Sequence, residues 1–223
     1  MSHGWFVTGT DTGVGKTLVA AALINKLANK GEQVVGMKPV ASGCHNTGVG
    51  LRNPDAEILV AAANVKADYR DVNPYAFEPA VSPHLAAHEA GIKIELENVF
   101  KHFELLKQQS EIVVVEGVGG WMAPLGHVIT NEHLAKSLGL PVILVVGLRL
   151  GCINHALLTA QAIEAAGLKL GGWVANTIDP DMERPTENVT TLRQRIPAPM
   201  LGQVPHLGRC DFRTLSNYIA VPQ

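Results

Sequence analysis

Apolar residues along the chain form two kinds of pattern: short continuous runs and longer segments with helical spacing. The short runs are rich in β-branched residues and end at glycine, proline or polar residues, which favours strands buried within a sheet. They include EQVVGMKPV at 32–40, EIVVVEGVGGW at 111–121, PVILVVGL at 141–148 and LGGWVANT at 170–177, with PAPMLGQVP at 197–205 as a last short strand.

Helical segments separate these runs. They are KTLVAAALINKLANK (16–30), DAEILVAAANV (55–65), SPHLAAHEAG (82–91), ENVFKHFELLKQQ (97–109), NEHLAKSLG (131–139), NHALLTAQAIEAAG (154–167) and MERPTENVTTLRQRI (182–196). Repeated alternation of strand and helix requires crossover connections between parallel strands. The sequence therefore predicts an α/β fold with a doubly wound, mostly parallel sheet flanked by helices.

Three stretches lack a clear pattern. Residues 41–54 are polar and glycine-rich, as expected of a long loop, and such loops in compact domains are usually functional or mobile. Residues 67–83 contain Pro74, Pro79 and Pro83, which predicts irregular structure. The tail after Gly208 has weak periodicity, and the pattern assigns it no role.

Composition limits the possible classes of protein. A chain of 223 residues with 47% hydrophobic and 17% charged residues suits one α/β domain over 1–223. The formal charge of −2 without a block of like charge argues against nucleic acid as a partner. The odd, scattered set of Cys44, Cys152 and Cys210 fits a reducing compartment, and no apolar run is long enough to span a bilayer. We expect a cytoplasmic protein with no membrane partner.

The first chemical signal is FVTGTDTGVGKT at 6–17, which ends a strand and opens a helix. Five residues separate Gly9 from Gly15, one more than in the usual Walker pattern, so the loop is a variant. Gly13 and Gly15 allow backbone N–H groups to approach a phosphate, and the helix N-terminus favours the same anion. Lys16 adds a full charge and the Thr17 hydroxyl suits Mg²⁺. The loop predicts a P-loop NTPase-like nucleotide site.

Other polar residues end predicted strands. Lys38 ends the second strand and Glu116 ends a buried apolar one, and ligands of open α/β sheets gather beyond such ends. A carboxylate there suits the acid that holds Mg²⁺ in phosphate-loop proteins. Asp55 lies near a helix start and is read on its own as a cap. Asn176 and Thr177 close the strand at 170–177.

Two further groups of residues have competing interpretations. Leu150, Gly151, Cys152 and Asn154 open a helix whose N-terminus could receive a carboxylate, although simple capping by Asn154 would also explain the pattern. His84 and His88 have the i, i+4 spacing of zinc ligands, but the glutamate of HExxH and a third ligand are missing from the pattern. We interpret both histidines as surface residues.

Together these segments resemble the dethiobiotin synthetase family over most of the chain. The matching segments are VTGTDTxVGKT, KPVASG, LRNxDA, VNPYxF, VVVEGxGGW, PVILVVGxxLGCINHALLTAQ, GWVAN and IPAP. The resemblance implies a C–N bond-forming cyclo-ligase of biotin biosynthesis that uses ATP and Mg²⁺. It would join CO₂ to 7,8-diaminononanoate through a carbamate and a carbamic–phosphoric anhydride, releasing ADP and phosphate.

The resemblance also implies residue roles. Lys16 and Lys38 would be catalytic, and Thr17, Asp55 and Glu116 would bind Mg²⁺. ATP would contact Gly13, Val14, Gly15, Lys16, Thr17, Leu18, Asp55, Glu116, Gly117, Val118, Gly119, Asn176, Thr177, Pro205, His206 and Leu207. Thr12, Lys38, Ser42, Leu150, Gly151, Cys152 and Asn154 would bind the substrate, the last four beside a partner subunit, which implies a homodimer.

The chain departs from the family pattern at two places. Gly13 stands where many relatives carry an acidic residue, and the tail beyond Gly208 matches poorly.

Two other classes of protein compete with this family. ATP-driven switches that position chromosomes or division proteins carry a second lysine five residues before the Gly-Lys-Thr lysine, but Asp11 stands there. A glutamine-dependent amidase of cobalamin synthesis would need a glutaminase domain, and the 223 residues leave no room for one beside the synthetase domain.

Overall fold

The structure is a computed structural model that describes residues 4–208 and 211–222. The strands are β1 (Gly4–Gly9), β2 (Val34–Met37), β3 (Val40–Ala41), β4 (His45–Asn46), β5 (Leu51–Arg52), β6 (Tyr75–Ala76), β7 (Ile112–Glu116), β8 (Val142–Leu148), β9 (Leu170–Thr177) and β10 (Met200–Val204). The helices are α1 (Lys16–Ala28), α2 (Pro54–Ala62), α3 (Tyr69–Val72), α4 (Pro83–Glu89), α5 (Leu96–Gln109), α6 (Asn131–Leu138), α7 (Cys152–Ala165), α8 (Pro185–Arg195) and α9 (Phe212–Leu215), followed by a 3-10 turn at Ser216–Tyr218.

Within the described residues, six strands form one sheet in the order β10-β9-β8-β1-β7-β2. Every pair in this sheet is parallel. The register places Val7 opposite Glu116, Leu148 opposite Thr177, and Val204 opposite Asn176. The carboxyl ends of the strands therefore meet at one edge, and the predicted parallel α/β fold is confirmed.

Both faces of the sheet are covered by helices. Phe6, Val113 and Val115 point into a core shared with α5, α6, α7 and α8. Val7 and Val114 alternate with them and point into a second core with α1, α2 and α9. Burial on both faces explains why the strands appear in the sequence as continuous apolar runs without alternation.

The structure corrects two expectations about irregular segments. The loop at 41–54 contains a small hairpin in which β4 pairs with β5, His45 lying opposite Arg52. The segment 67–83 contains α3 and the strand β6, which pairs in parallel with β3. Elements of two to four residues are too short to show a hydrophobic period in the sequence. They can be recognised only from the residues that they pair with in the structure.

The tail after Gly208 packs against the second core. Phe212 and Leu215 of α9 are buried there, and Lys26 of α1 donates a 2.9 Å hydrogen bond to the carbonyl of Ser216. Ala220 continues the contact by donating to the Leu201 carbonyl. The tail therefore covers α1 and β10, while Cys210 lies outside the described residues. Among the described helices, none has the length and apolar character to cross a membrane.

Candidate active site

The predicted phosphate loop joins the end of β1 to the start of α1. Gly13 and Gly15 have φ of 76° and 92°, a left-handed conformation that favours glycine. Asn176, at the end of β9, donates a 2.8 Å hydrogen bond from Nδ2 to the carbonyl of Val14. A side chain at Gly15 would collide with this amide, so glycine is required there for a second reason. The loop is thus held from the opposite side by β9.

Lys16 is buried at the first position of α1. Its Nζ donates to the carbonyl of Asp11 at 2.9 Å, so the amine folds back over its own loop. Burial, and next the charge of Lys38, lower the pKa of Lys16 to about 8. A phosphate bound in the loop would offset both effects because it brings negative charge to the amine.

Four predicted residues from four elements converge at the carboxyl edge of the sheet. Lys38 follows β2, and its Nζ lies 2.6 Å from Glu116 Oε1 and 3.2 Å from Asp55 Oδ2. Thr17, in the first turn of α1, donates its hydroxyl to the same Glu116 oxygen at 2.8 Å. The structure therefore brings together the predicted second lysine and all three predicted metal ligands.

Burial determines the electrostatics of this cluster. The side chains of Lys38 and Glu116 are 4% and 1% exposed, whereas that of Asp55 is 46% exposed. Burial raises the pKa of Glu116, and the ammonium of Lys38 opposes that shift. Burial lowers the pKa of Lys38, but the charges of Glu116 and Asp55 outweigh burial and leave it raised. Lys38 is therefore held as an ammonium ion against the two carboxyl groups.

One atom of the cluster points to a metal. Glu116 Oε2 is buried and has no hydrogen-bond partner among the described residues. A buried carboxylate oxygen without a partner is costly, so a ligand that supplies a positive charge fits it. No group of three or more His, Cys, Asp or Glu side chains that could hold a metal occurs in the described chain. Two carboxylates and a hydroxyl nevertheless suit Mg²⁺, which keeps several waters and takes phosphate oxygens.

The expected substrate residues near the loop lie beside this cluster. A Cβ built at Gly119 would lie 3.7 Å from Thr12 Oγ1, so the loop after β7 runs along the phosphate loop. Ser42 follows β3, and its carbonyl accepts a 3.2 Å hydrogen bond from Asn53 Nδ2. Cys44 is buried nearby, and burial raises the pKa of its thiol, which makes it a poor nucleophile.

The start of α7 has no side-chain cap, and the amide of Cys152 donates to the Arg149 carbonyl at 3.0 Å. Gly151 is the N-cap with φ of 93°, and Asn154 lies inside the first turn. Capping by Asn154 is therefore wrong, because the capping position belongs to a residue without a side chain. Arg149 connects this helix start to the phosphate loop through a 2.7 Å ion pair with Asp11. The Thr12 amide, and also Arg149, hold the pKa of Asp11 below its usual value.

The remaining predicted residues lie at the same edge or apart from it. Pro205, His206 and Leu207 follow β10, whose last residue pairs with Asn176, so they lie beside the end of β9. His84 and His88 of α4 instead line an apolar groove of about 500 Å³ with the segment 125–129. His84 contacts the Ser82 hydroxyl at 3.0 Å.

Sequence reasoning missed several residues that support the site. Arg149 received no role, and neither did Asn53, Tyr69 and Asn73, whose side chains bind the backbone around Lys38 and Ser42. The only available signal was the occurrence of Asn53 and Asn73 within the segments LRNxDA and VNPYxF, which carry the family resemblance.

Comparisons with known proteins first define the class. A family described as AAA domain matches residues 3–214. The solved structure of the MinD cell division protein of Aquifex aeolicus has a TM-score of 0.59 at 19% identity, covering 96% of this chain and 87% of its own. A ParA family ATPase from Chlorobium tepidum has a TM-score of 0.56 at 14% identity, covering 92% of this chain and 86% of its own. At such identity the likeness shows the fold alone: together with its phosphate loop, it gives the molecule the fold of the P-loop NTPases.

Sequence relatives then give the family. The chain is 50% identical over 100% of its length and 100% of the relative's length to the ATP-dependent dethiobiotin synthetase of Xanthomonas axonopodis pv. citri. It is 51% identical to that of Nitrosospira multiformis over 99% of this chain and 96% of the relative. The chain belongs to the ATP-dependent dethiobiotin synthetase family, which confirms the resemblance of its motifs.

Proposed function

We propose that this protein closes the ureido ring of dethiobiotin in biotin biosynthesis, as a cyclo-ligase that uses ATP, CO₂ and 7,8-diaminononanoate. The observation that carries the proposal is the cluster of Lys38 with Thr17, Asp55 and Glu116 at the mouth of the phosphate loop. An ammonium ion, two carboxyl groups and a phosphate-binding loop are the parts that phosphoryl transfer to a small anionic acceptor requires.

ATP would place its phosphates on the loop from Gly13 to Leu18, with Lys16 beside the terminal phosphates. Adenine would lie near Asn176 and Thr177, against Pro205–Leu207. The oxygens of Thr17, Asp55 and Glu116 would hold Mg²⁺, which fits the buried Glu116 Oε2 without a described partner. Neutralisation of the phosphate charge during transfer is the chemistry that Mg²⁺ would supply there.

The diamine would lie between this site and the start of α7. Thr12 and Ser42 would contact the reacting amines, while the distant carboxylate would meet the open N-terminus formed by Leu150, Gly151, Cys152 and Asn154. That helix start has no side-chain cap and carries partial positive charge, which supports the assignment.

The first chemical step forms the carbamate. One amine nitrogen of the substrate attacks the carbon of CO₂, a C–N bond forms, and the nitrogen loses a proton to solvent. The product carries negative charge on its oxygens. Lys38, which is an ammonium ion in this structure, would stabilise that charge.

Phosphoryl transfer and ring closure follow. A carbamate oxygen attacks the γ-phosphorus of ATP, the bond to ADP breaks, and Lys16 and Lys38 would stabilise the equatorial oxygens from two sides. The second amine then attacks the carbamate carbon, its nitrogen loses a proton to solvent, the C–O bond to phosphate breaks, and the five-membered urea closes with release of phosphate. Because both amines belong to one bound molecule, orientation can contribute about 7–11 kcal/mol to lowering this barrier.

We also propose a cytoplasmic homodimer with the carboxylate end of the substrate at the subunit interface. Leu150, directly before the α7 N-terminus, is 93% exposed. A subunit seated there would remove this apolar side chain from water, which is favourable.

Labelled bicarbonate tests the proposal. With 7,8-diaminononanoate and Mg-ATP, we expect a labelled cyclic urea together with ADP and phosphate. ADP release that required glutamine or a partner protein, and not the diamine, would point instead to the amidase or the switch class.

A further inference from the structure

A chain of hydrogen bonds lies behind the catalytic edge and joins residues with no assigned role. Asn53 and Asn73 are each 4% exposed, among the few buried polar side chains of the described residues. An amide is costly to bury unless its groups are paired, so the partners of these two side chains identify their role.

Asn73 holds the backbone of the catalytic lysine. Its Nδ2 donates to the carbonyl of Lys38 at 2.6 Å and to that of Tyr75 at 3.3 Å. The amide of Lys38 donates in turn to the carbonyl of Val72 at 2.8 Å. The peptide groups on both sides of the Lys38 Cα are therefore bound to the segment 72–73, immediately beyond the end of β2.

Asn53 holds two other functional residues. Its Oδ1 accepts from the amides of Asp55 and Ala56, at 3.1 Å and 3.3 Å, and so caps α2. Its Nδ2 donates to the carbonyl of Ser42 at 3.2 Å. One side chain therefore fixes the helix start that carries Asp55 relative to the strand exit that carries Ser42.

Tyr69 connects the backbone of Asn53 to the side chain of Asn73. Its hydroxyl accepts a 2.8 Å hydrogen bond from the backbone amide of Asn53 and donates at 3.4 Å to Oδ1 of Asn73. The guanidinium of Arg52 lies 3.8 Å from the centre of the Tyr69 ring, which restrains the ring from its other side. The hydroxyl thus links Asn73, which holds the backbone of Lys38, to Asn53, which caps the helix that carries Asp55.

We propose that Asn53, Tyr69 and Asn73 are positioning residues that set the spacing of Lys38, Ser42 and Asp55. The inference rests on the roles given to those three residues in the proposed function. It extends them because a catalytic set on three separate segments needs a common support, and misplacement by about 1 Å can cost about a hundredfold in rate. In the proposed function the ATP phosphates lie on the other side, on the phosphate loop, whose Val14 carbonyl accepts a hydrogen bond from Asn176.

Tyr69→Phe is the direct test, because it removes the hydroxyl and keeps the ring under Arg52. We expect kcat to fall about tenfold or more, with the ATP KM within about twofold of the parent value. A second measurement does not depend on turnover: the Mg²⁺ concentration that half-saturates binding of a fluorescent non-hydrolysable ATP analogue should rise about threefold or more, as expected when a supporting contact of a metal ligand is lost.

Tyr75→Phe is the matched control. The Tyr75 hydroxyl also accepts a backbone amide, that of Glu95 at 3.0 Å, but it serves the start of α5. We expect a similar shift in thermal midpoint for both variants and unchanged kcat and Mg²⁺ half-saturation for Tyr75→Phe. If Tyr69→Phe matched Tyr75→Phe in kinetics and in Mg²⁺ half-saturation, the proposal would be overturned.

Asn53→Ser tests the contact between Asn53 and the Ser42 carbonyl. It also keeps the proposal testable if Tyr69→Phe folds poorly. Serine is as good an N-cap as asparagine, so α2 and Asp55 should stay in place, but its shorter side chain cannot reach the Ser42 carbonyl. We expect the KM for the diamine to rise about fivefold or more with Mg²⁺ half-saturation unchanged; an unchanged KM would remove Asn53 from the set. A parent enzyme without diamine-dependent turnover would refute the proposed function instead, and the Mg²⁺ titration would still test Tyr69.

Discussion

The Lys38 ammonium lies between Glu116 and Asp55, the two carboxyl groups that we propose as ligands of Mg²⁺. It lies 2.6 Å from one carboxylate and 3.2 Å from the other, while Thr17 shares the same Glu116 oxygen. A metal bound by those oxygens would take over their charge pairing. Lys38 would then turn to the phosphate and the carbamate, where the proposed chemistry needs it.

Lys38→Met should expose this exchange of cations. Loss of one partner from a buried ion pair costs about 3–5 kcal/mol, so the free energy of unfolding without Mg²⁺ should fall by that order. Mg²⁺ should raise the thermal midpoint of the variant more than that of the parent protein, because the metal replaces the missing ammonium. Turnover should be lost while ATP binding is largely kept.

A second lysine variant serves as the control. Lys107 pairs with Glu104 at 2.7 Å on the more exposed surface of α5. Lys107→Met should change the free energy of unfolding by less than about 1 kcal/mol and leave the response to Mg²⁺ unaltered. An equal Mg²⁺ shift in Lys38→Met and the parent protein would contradict the exchange.

Glu116→Gln should raise the Mg²⁺ requirement. The amide keeps an acceptor for Lys38 and Thr17 but removes the charge of the buried ligand, so half-saturating Mg²⁺ should rise at least about tenfold in turnover assays. Glu111→Gln is the control, because Glu111 precedes the opposite end of β7 and accepts only from the Gln33 amide among the hydrogen bonds described. A metal titration that did not move would count against Glu116 as a ligand.

At the scale of elements, the site depends on how closely α2 packs on β2. Gly36 lies in β2 under α1 and α2. A Cβ there would come within 2.7 Å of Leu59 Cβ and 2.9 Å of Ile24 Cδ1. Because β2 leads to Lys38 and α2 begins at Asp55, any separation of these elements moves two functional groups apart.

Gly36→Ala should therefore destabilise the fold and weaken metal binding together. Overpacking a core contact of this kind costs about 1–3 kcal/mol, measurable by urea unfolding. Gly171→Ala is the control: it lies in β9 of the same sheet, where a Cβ would meet Pro141 Cβ at an ordinary 3.5 Å. Equal stability of the two variants would mean that the contact relaxes without moving α2.

The elements that could be predicted from sequence are those whose signal is local. The strand at Ile112–Glu116 is buried on both faces and is therefore visible in the sequence as an apolar run. The phosphate loop is recognised from its glycines followed by lysine and threonine. The support of the site could not be predicted in this way. Asn73 and Lys38 are 35 residues apart in the sequence, and Tyr69 and Asn53 are 16 residues apart. Contacts over such separations leave no mark on the local hydrophobic pattern.

At the scale of the whole molecule, the surface proposed to bind the substrate carboxylate includes an exposed apolar residue. Leu150 is 93% exposed, and Leu158 within α7 is 57% exposed. Leu150 directly precedes Gly151, the N-cap of the helix start to which we assign the substrate carboxylate. Arg149, next in the chain, ties this segment to the phosphate loop through Asp11, so a subunit seated on it would be coupled to the nucleotide site.

Leu150→Asp should test that coupling. A carboxylate in place of an apolar interface residue should shift the mass in sedimentation equilibrium from dimer to monomer, because burying an unpaired charge is unfavourable. It should also raise the KM for the diamine much more than that for ATP, since the added charge repels the substrate carboxylate. Val60→Asp, on the 46% exposed position of α2, should change neither quantity. A Leu150→Asp protein with unchanged mass and unchanged diamine KM would place the subunit contact, and the carboxylate, elsewhere on the molecule.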